Sequence, residues 1–251
     1  MSYLISDKHS AHLETLELDG CSVVRVPGRF ASCYVITSPA GCCVVDPGST
    51  TVLAGIDTLV ARHGPVHAYL LTHGHFDHIA ALEHALQRWP APVHAGPLLK
   101  AFLQGELALP YPRYGGPLVL AANWLRQGLP LPPLRDIAPT LRLARGSYRC
   151  SGQLAAAVAH TAELDCLPGW SSLVYSGHSQ EDVCLWHRAR GVLICGDLVA
   201  NLRGGEWNQV LTDPIAYAYT RQALRRLPAQ ALLCGHGPML TGPRPWQNLR
   251  G

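Results

Sequence analysis

Two periods of hydrophobicity run along the chain. Near the start, "CSVVRV" (21–26), "CYVIT" (33–37) and "CCVVD" (42–46) are β-branched and cysteine-rich. The groups "PGRF", "SPAG" and "PGS" separate them, a pattern that predicts strands joined by tight turns. The period then lengthens. "TVLAGIDTLVARHG" (51–64) repeats apolar residues at helical spacing, with Leu53, Ile56, Leu59 and Val60, and stops at Gly64-Pro65. "VHAYLL" (66–71) is an unbroken apolar run and reads as a buried strand. "DHIAALEHALQRW" (77–89) predicts a helix with Ile79, Leu82 and Leu86 on one face, and "APVHAG" (91–96) a short strand.

Residues 104–149 break both periods. They are rich in proline and leucine and carry Tyr111, Tyr114 and Trp124. Proline removes a backbone donor and fixes φ, so long regular elements are not expected there, although "GPLVLAANWLRQG" (116–128) fits one helix. A segment this long between periodic elements reads either as a lid or binding loop or as a packed irregular insertion. Strands resume with "WSSLVYSGHS" (170–179), "VCLWH" (183–187) and "GVLICGD" (191–197). "DPIAYAYTRQALRRL" (213–227) is a helix with Tyr217, Leu224 and Leu227 inward and Arg221 and Arg225 flanking. "AQALLCGHG" (229–237) is a last strand and loop. "AYLLTHGH" echoes "ALLCGHG", and "CVVDPG" echoes "LICGDL", which suggests two related halves. Together these elements predict an α/β fold in a single domain over residues 1–251, interrupted by the insertion at about 104–149.

Composition narrows the class. The 251 residues are 48% hydrophobic and 15% charged, enough to bury a large core. A net charge of +3 gives no concentrated basic face, so a nucleic-acid partner is not expected. The nine cysteines are odd in number, sit in apolar runs and form no Cys-x-x-Cys pair, so a thiolate metal site is not signalled. No apolar leader and no membrane-length run is visible. The expectation is a cytoplasmic protein with reduced thiols, no membrane partner and a small-molecule substrate.

The chemistry concentrates in "AYLLTHGHFDH" (68–78), where an apolar strand ends in three histidines and an aspartate. His73 and His75 are two apart and face one way in an extended loop. Asp77 and His78 follow as an adjacent pair. One tetrahedral ion could not use all four, whereas two ions could, and imidazole with carboxylate suits zinc, manganese or iron. His178 in "VYSGHS", Asp197 in "LICGDL" and His236 in "LLCGHG" share one context: apolar strand, small residue, ligand type, turn. Strand ends in one sheet lie close, so these residues can converge. His9, His12, His63, His67, His84, His94, His160 and His187 lack that context and read as surface or packing residues.

"THGHFDH" resembles the His-x-His-x-Asp-His signature of the metallo-β-lactamase superfamily. "SGHSQEDVCLW", "CGDL", "CGHG" and "VVDPGS" resemble that family's later ligand segments and its early aspartate strand, in the same order from about residue 23 to 238. The resemblance implies a four-layer αββα sandwich with the site along one edge of the two sheets. It implies that His73, His75 and His178 bind a first divalent metal, that Asp77, His78 and His236 bind a second, and that Asp197 bridges them. Zinc is the first choice of metal, with Mn2+ or Fe2+ the others. Asp77 and Asp197 are then the catalytic carboxylates around a metal-bridging hydroxide. Asp46 either orients a ligand histidine or simply forms the turn before Pro47-Gly48. The bridging aspartate points to the glyoxalase II and acyl-homoserine lactonase-like branch.

For the substrate, the expectation is a carboxylic ester, lactone or thioester with an apolar portion, matched to the leucine- and aromatic-rich insertion. The chain after His236 lacks the helical glutathione-binding segment of glyoxalase II-like enzymes. Glu181-Asp182 also replaces a Gly-His usual in them. Glutathione thioesters are therefore disfavoured. Glu181 and Asp182 would repel an anion if they face the site, and Arg203 is the one cation close after a ligand. Two alternatives remain. One is a phosphodiesterase or nuclease using Arg221, Arg225, Arg226 and Arg244. The other is a mononuclear-iron sulfur dioxygenase using His73, His178 and Asp197.

Overall fold

A computed structural model describes residues 13–107, 133–144 and 146–251. Its first sheet runs in sequence order through β1 (Glu14–Leu18), β2 (Cys21–Pro27), β3 (Ser32–Ser38), β4 (Gly41–Val45), β5 (Val66–Leu70) and β6 (Val93–His94). β1 to β4 pair antiparallel, whereas β4–β5 and β5–β6 are parallel. The second sheet contains β7 (Ser171–Tyr175), β8 (Asp182–His187), β9 (Val192–Ala200), β10 (Glu206–Trp207), β11 (Ala231–His236) and β12 (Leu240–Thr241). Its order is β12-β11-β9-β8-β7, with β10 also on β9. The parallel crossovers are made by helices: α1 (Leu53–His63) links β4 to β5, and α2 (Phe76–Ile79) with α3 (Leu82–Arg88) links β5 to β6. Then come α4 (Pro97–Gln104), α5 (Leu134–Ala144) and α6 (Pro214–Leu224).

Strand side chains alternate between faces, and here both faces are buried. In β3, Cys33 and Val35 join a core with α1, α3 and α4, while Tyr34 and Ile36 join a core between the sheets. In β4, Cys42 and Val44 divide from Cys43 and Val45 in the same way. In the second sheet, Val183, Leu185, Val192, Ile194, Ala231 and Leu233 enter the inter-sheet core. Cys184, Trp186, Leu193, Cys195, Leu232 and Cys234 enter a third core beneath α6. Three apolar layers between four layers of elements make the fold an αββα sandwich. They also explain why the strands read as continuous apolar runs.

Several elements differ from the sequence expectation. β1 was not anticipated, because its glutamates leave only Leu16 buried. Its edge is fixed to β2 by Glu14 on Arg25 at 2.8 Å. The helix expected over 77–89 is two helices, because the Ala81 N–H donates to Pro47 O at 3.0 Å instead of continuing the helix. α4 was also missed. Prolines do not exclude regular structure from 104–149: α5 spans eleven residues with Pro139 inside it. The bond Pro139 forfeits belongs to a carbonyl in the first turn, and its ring lies on the buried stripe Asp136, Pro139 and Leu143. The helix expected at 116–128, with Tyr111, Tyr114 and Trp124, lies outside the described residues. Arg221 and Arg225 lie over the Trp207 ring at 5.0 and 5.3 Å, and Trp207 stacks on Trp246. Among the described residues no helix is long and apolar enough to cross a membrane, and all nine cysteines are free.

Leu233 lies fully buried between the sheets, whereas Leu134 on α5 is 86% exposed. Urea denaturation should show Leu233→Ala losing about 2–5 kcal/mol through lost burial and a residual cavity. Leu134→Ala should stay within about 0.5 kcal/mol.

Candidate metal centre

The loop after β5 ends the first sheet, and the facing edge of the second sheet supplies the rest of the site. His73 and His75 lie in that loop, and Asp77 and His78 in α2. His178 lies in the loop between β7 and β8. His236 is the last residue of β11, and Asp197 lies within β9. His178, Asp197 and His236 all come from the second sheet, as the sequence reading expected, but Asp197 does not follow its strand: β9 continues to Ala200. Its register against β11 shifts between Leu233 and Cys234 and again before His236. Such irregularities re-aim a side chain at a sheet rim.

All seven predicted residues come together. The ligand atoms of His73, His75, His178 and Asp197 lie within 4.8 Å of one another, as do those of Asp77, His78, Asp197 and His236. Asp197 belongs to both groups. His178 Nε2 is 3.3 Å from His73 Nε2 and 3.1 Å from His75 Nδ1. Nitrogens at bond lengths of about 2.0–2.1 Å around a tetrahedral zinc are about 3.3 Å apart, so this spacing fits a cation. Asp197 Oδ2 is 3.1 Å from His236 Nε2 and 3.6 Å from His178 Nε2, and Oδ1 is 3.1 Å from His78 Nε2. His236 Nε2 is 3.4 Å from Asp77 Oδ2. His78 Nε2 and Asp197 Oδ1 are both buried without an aligned hydrogen bond. The donors are imidazole nitrogen and carboxylate oxygen, which suit zinc, iron or manganese.

The tautomers are set from behind, as metal histidines require. His178 Nδ1 donates to Val210 O at 2.7 Å, and His236 Nδ1 to Phe30 O at 2.9 Å. His78 Nδ1 donates to Asp46 Oδ2 at 2.8 Å. Thr72 Oγ1 donates to the same Asp46 oxygen at 2.5 Å, so it accepts from His73 Nδ1 at 3.0 Å. Each of these four rings therefore turns Nε2 toward the centre, while His75 presents Nδ1. Asp46 performs both roles considered for it: it orients ligands, and it holds a φ of 53° in the turn.

Sequence reading missed the supports. Asn208 Nδ2 donates to Asp197 O at 2.7 Å and Asn208 Oδ1 accepts from Val210 N at 2.8 Å, so one amide braces Asp197 and the His178 acceptor. A side chain at Gly235 would place Cβ 2.1 Å from Asp197 Oδ1. Thr72 stood inside the quoted motif, but nothing in its type marked it. Glu181 and Asp182 do not face the site as free charges. Glu181 accepts from Leu98 N and Leu99 N at the start of α4, and Asp182 accepts from Ser179 N and Oγ within its own loop. Arg203 sits exposed on the β9–β10 turn. Among the other histidines, His187 packs edge-on against Trp170, and His67 bonds Cys166 O.

Charge is concentrated where water is scarce. Burial opposes protonation of His78 and His236, but neighbouring carboxylates outweigh it. His236 is pushed up to about 10, with Asp197 and Asp77 responsible, and His78 is raised well above its usual range by Asp197 and Asp46. Burial and then neighbouring imidazoles depress His73 well below that range and His75 to about 3. Burial would raise Asp197, but His236 and His78 pull it well down. Without cations, then, protons on His78 and His236 balance the carboxylates.

Comparison with known proteins agrees with this geometry. The family profile described as the metallo-beta-lactamase superfamily matches residues 26–236. The probable metallo-hydrolase YflN of Bacillus subtilis (strain 168) is 29% identical over 70% of this chain and 66% of its own length, just under two thirds. The probable metallo-hydrolase YqgX of the same organism is 27% identical over 83% of this chain and 85% of its own. The crystal structure of TTHA1623, in a di-iron-bound form, superposes with a TM-score of 0.56 at 24% identity, covering 87% of this chain and 93% of that one.

Chelator-treated protein should melt highest near pH 6.5. His78 and His236 have raised pKa values in the folded state, so their contribution is full below 6.5 and declines as pH rises, the His236 part through about 10. His73 and His75 have depressed values, so stability also falls as pH drops below 6.5, the His75 part down to about 3. Melting temperature against pH tests this. A cation held by His78 and His236 would replace their protons, so metal-loaded protein should lose the alkaline decline and should release protons on loading.

Proposed function

The chain belongs to the metallo-beta-lactamase superfamily, and from that premise we propose that it is a dinuclear metal-dependent hydrolase acting on a carboxylic ester, lactone or thioester with an apolar portion. The observation that carries the reading is Asp197, whose carboxylate belongs at once to a three-histidine group and to a His-His-Asp group. His73, His75 and His178 would hold the first cation, Asp77, His78 and His236 the second, with Asp197 between. When bound, a pair of divalent cations supplies a water of lowered pKa and electrophilic stabilisation of developing negative charge. The chain's own part is to fix donor direction through Asp46, Thr72, Val210 and Phe30, and to bury His73, His78, His178 and Asp197 away from water. Zinc suits the donors. The di-iron form of TTHA1623 makes iron the second candidate. The free thiols of all nine cysteines support a reducing, cytoplasmic setting.

The surroundings favour a neutral carboxylic centre over a phosphodiester. Phosphate recognition calls for Arg or Lys or a backbone nest, and the ligand loops carry no Arg or Lys. Of the four cations offered for a nuclease, Arg221 and Arg225 lie over the Trp207 ring. Glu181 is turned to Leu98 N and Leu99 N and Asp182 to Ser179, so neither carboxylate joins the donor groups. The residues that set the histidines also bring apolar side chains to the rim. Phe30 and Phe76 meet edge-on at 6.3 Å beside His236 and Asp77, and Val210 is 38% exposed beside His178. A mononuclear-iron dioxygenase would leave the second group without a role, and that group is complete.

Elemental analysis should find about two metal ions per chain. Asp197→Ala should retain the fold by circular dichroism and lose kcat/KM by more than about 100-fold, beyond the range for outer-shell partners. A panel of acyl lactones, aryl esters, a glutathione thioester, a penicillin, a bis-aryl phosphodiester and single-stranded RNA on loaded enzyme should show the highest kcat/KM on an acyl lactone or ester. Preference for the phosphodiester or RNA would reject the substrate class. Phe30→Ala should raise KM about 10-fold for long acyl chains and little for short ones.

A further inference from the structure

α5 is largely exposed, with a narrow buried stripe of Asp136, Pro139 and Leu143. Asp136 is the charged member of that stripe and is 1% exposed. Its Oδ2 accepts from Ser49 Oγ at 2.6 Å, and its Oδ1 accepts from Thr50 N at 3.1 Å. Ser49 is itself buried and accepts in turn from Thr51 N and Thr51 Oγ1. A carboxylate that gathers a hydroxyl and a backbone N–H in a dry site makes strong, directional contacts.

What Asp136 holds is the far end of the turn that begins at Asp46. The near end is anchored by Asp46 N on Leu70 O at 3.1 Å and closed by Gly48 N on Asp46 O at 2.8 Å. The middle is wedged against α2: Pro47 O accepts from Ala81 N, and a Cβ at Gly48 would lie 1.6 Å from Asp77 O. Asp46 sits in this turn with a left-handed backbone, a conformation that costs energy in a non-glycine residue and persists only when surroundings enforce it. Its carboxylate aims His78 directly and His73 through Thr72. α5 also packs on α2, which carries Asp77 and His78.

We infer that Asp136 is a positioning residue for the metal centre, fastening α5 to the turn that aims His78. α5 is thereby joined mechanically to the second metal group, because loosening 49–50 frees the enforced backbone at Asp46. The effect falls more on His78 than on His73, which has Thr72 between it and Asp46. The metal part of the inference rests on the two-metal reading above.

The test uses full-length protein, parent against Asp136→Ala, Asp136→Asn and Ser49→Ala. Zinc titration against a chromophoric chelator gives a Kd for each ion. In Asp136→Ala one of the two Kd values should rise about 10-fold, the low end for an outer-shell partner, with the other changed less than about threefold. Asp136→Asn keeps an acceptor for the Ser49 hydroxyl and should recover part of the loss. Adding Ser49→Ala to Asp136→Ala should cost less than Ser49→Ala costs alone, since the bond the two residues share is already gone. A lowered melting temperature with both Kd values unchanged would mean a merely structural role and would overturn the inference. A second readout needs no metal: solvent exchange of the His78 Nδ1 proton in 1H–15N spectra of chelated protein. It should quicken about 10-fold in Asp136→Ala, while the His236 Nδ1 proton, held by Phe30 O, should not change. If the parent binds a single ion, the two-metal reading fails and proton exchange alone decides, with an unchanged His78 rate overturning the inference. If Asp136→Ala does not fold, Asp136→Asn and Ser49→Ala give the same comparison.

Discussion

One buried carboxylate governs the architecture of the site. Asp197 lies 5% exposed among four imidazoles, at 3.1 Å from two of them. A charge so placed is costly unless cations or protonated histidines balance it. The neighbouring structure keeps it in place. Shifts in register turn it out of β9, Asn208 holds its backbone, and Gly235 leaves room for its oxygen. The same charge accounts for the raised pKa values of His78 and His236. It also explains why those rings are locked from behind by Asp46 and the Phe30 carbonyl.

Much of this was legible in the sequence because it is local. The β5 loop presents its ligands at fixed spacing, and a continuous apolar run before each ligand reflects a strand buried on both faces. What could not be read was long-range or carried by backbone. β1 is an edge strand whose glutamates hide its period. The helix after Asp77 breaks because Pro47, thirty residues away in another loop, takes the Ala81 N–H. Val210 and Phe30 act through carbonyls, which every residue has. Asp197 was expected after a strand because glycine usually ends one, yet here Gly196 lies inside β9.

Charged residues were misread most often, for one reason: the sequence shows a charge but not its partner. Glu181 and Asp182 looked like a negative rim and are internal acceptors, one at the start of α4 and one bracing the His178 loop. Arg221 and Arg225 read as either a solvated or a nucleic-acid face; both lie over the Trp207 ring, and Arg225 remains exposed. With Glu181 and Asp182 turned to internal donors, the apolar side chains of Phe30, Phe76 and Val210 beside the donor set support the proposed apolar carboxylic substrate.

The account depends on two cations sharing one carboxylate. X-ray diffraction from metal-loaded crystals, with anomalous data at the metal edge, tests this most directly. Two peaks about 3.5–4 Å apart, each within bonding distance of a different oxygen of Asp197, are the predicted result. A single peak among His73, His75 and His178, or two ions of which only one touches Asp197, would contradict it.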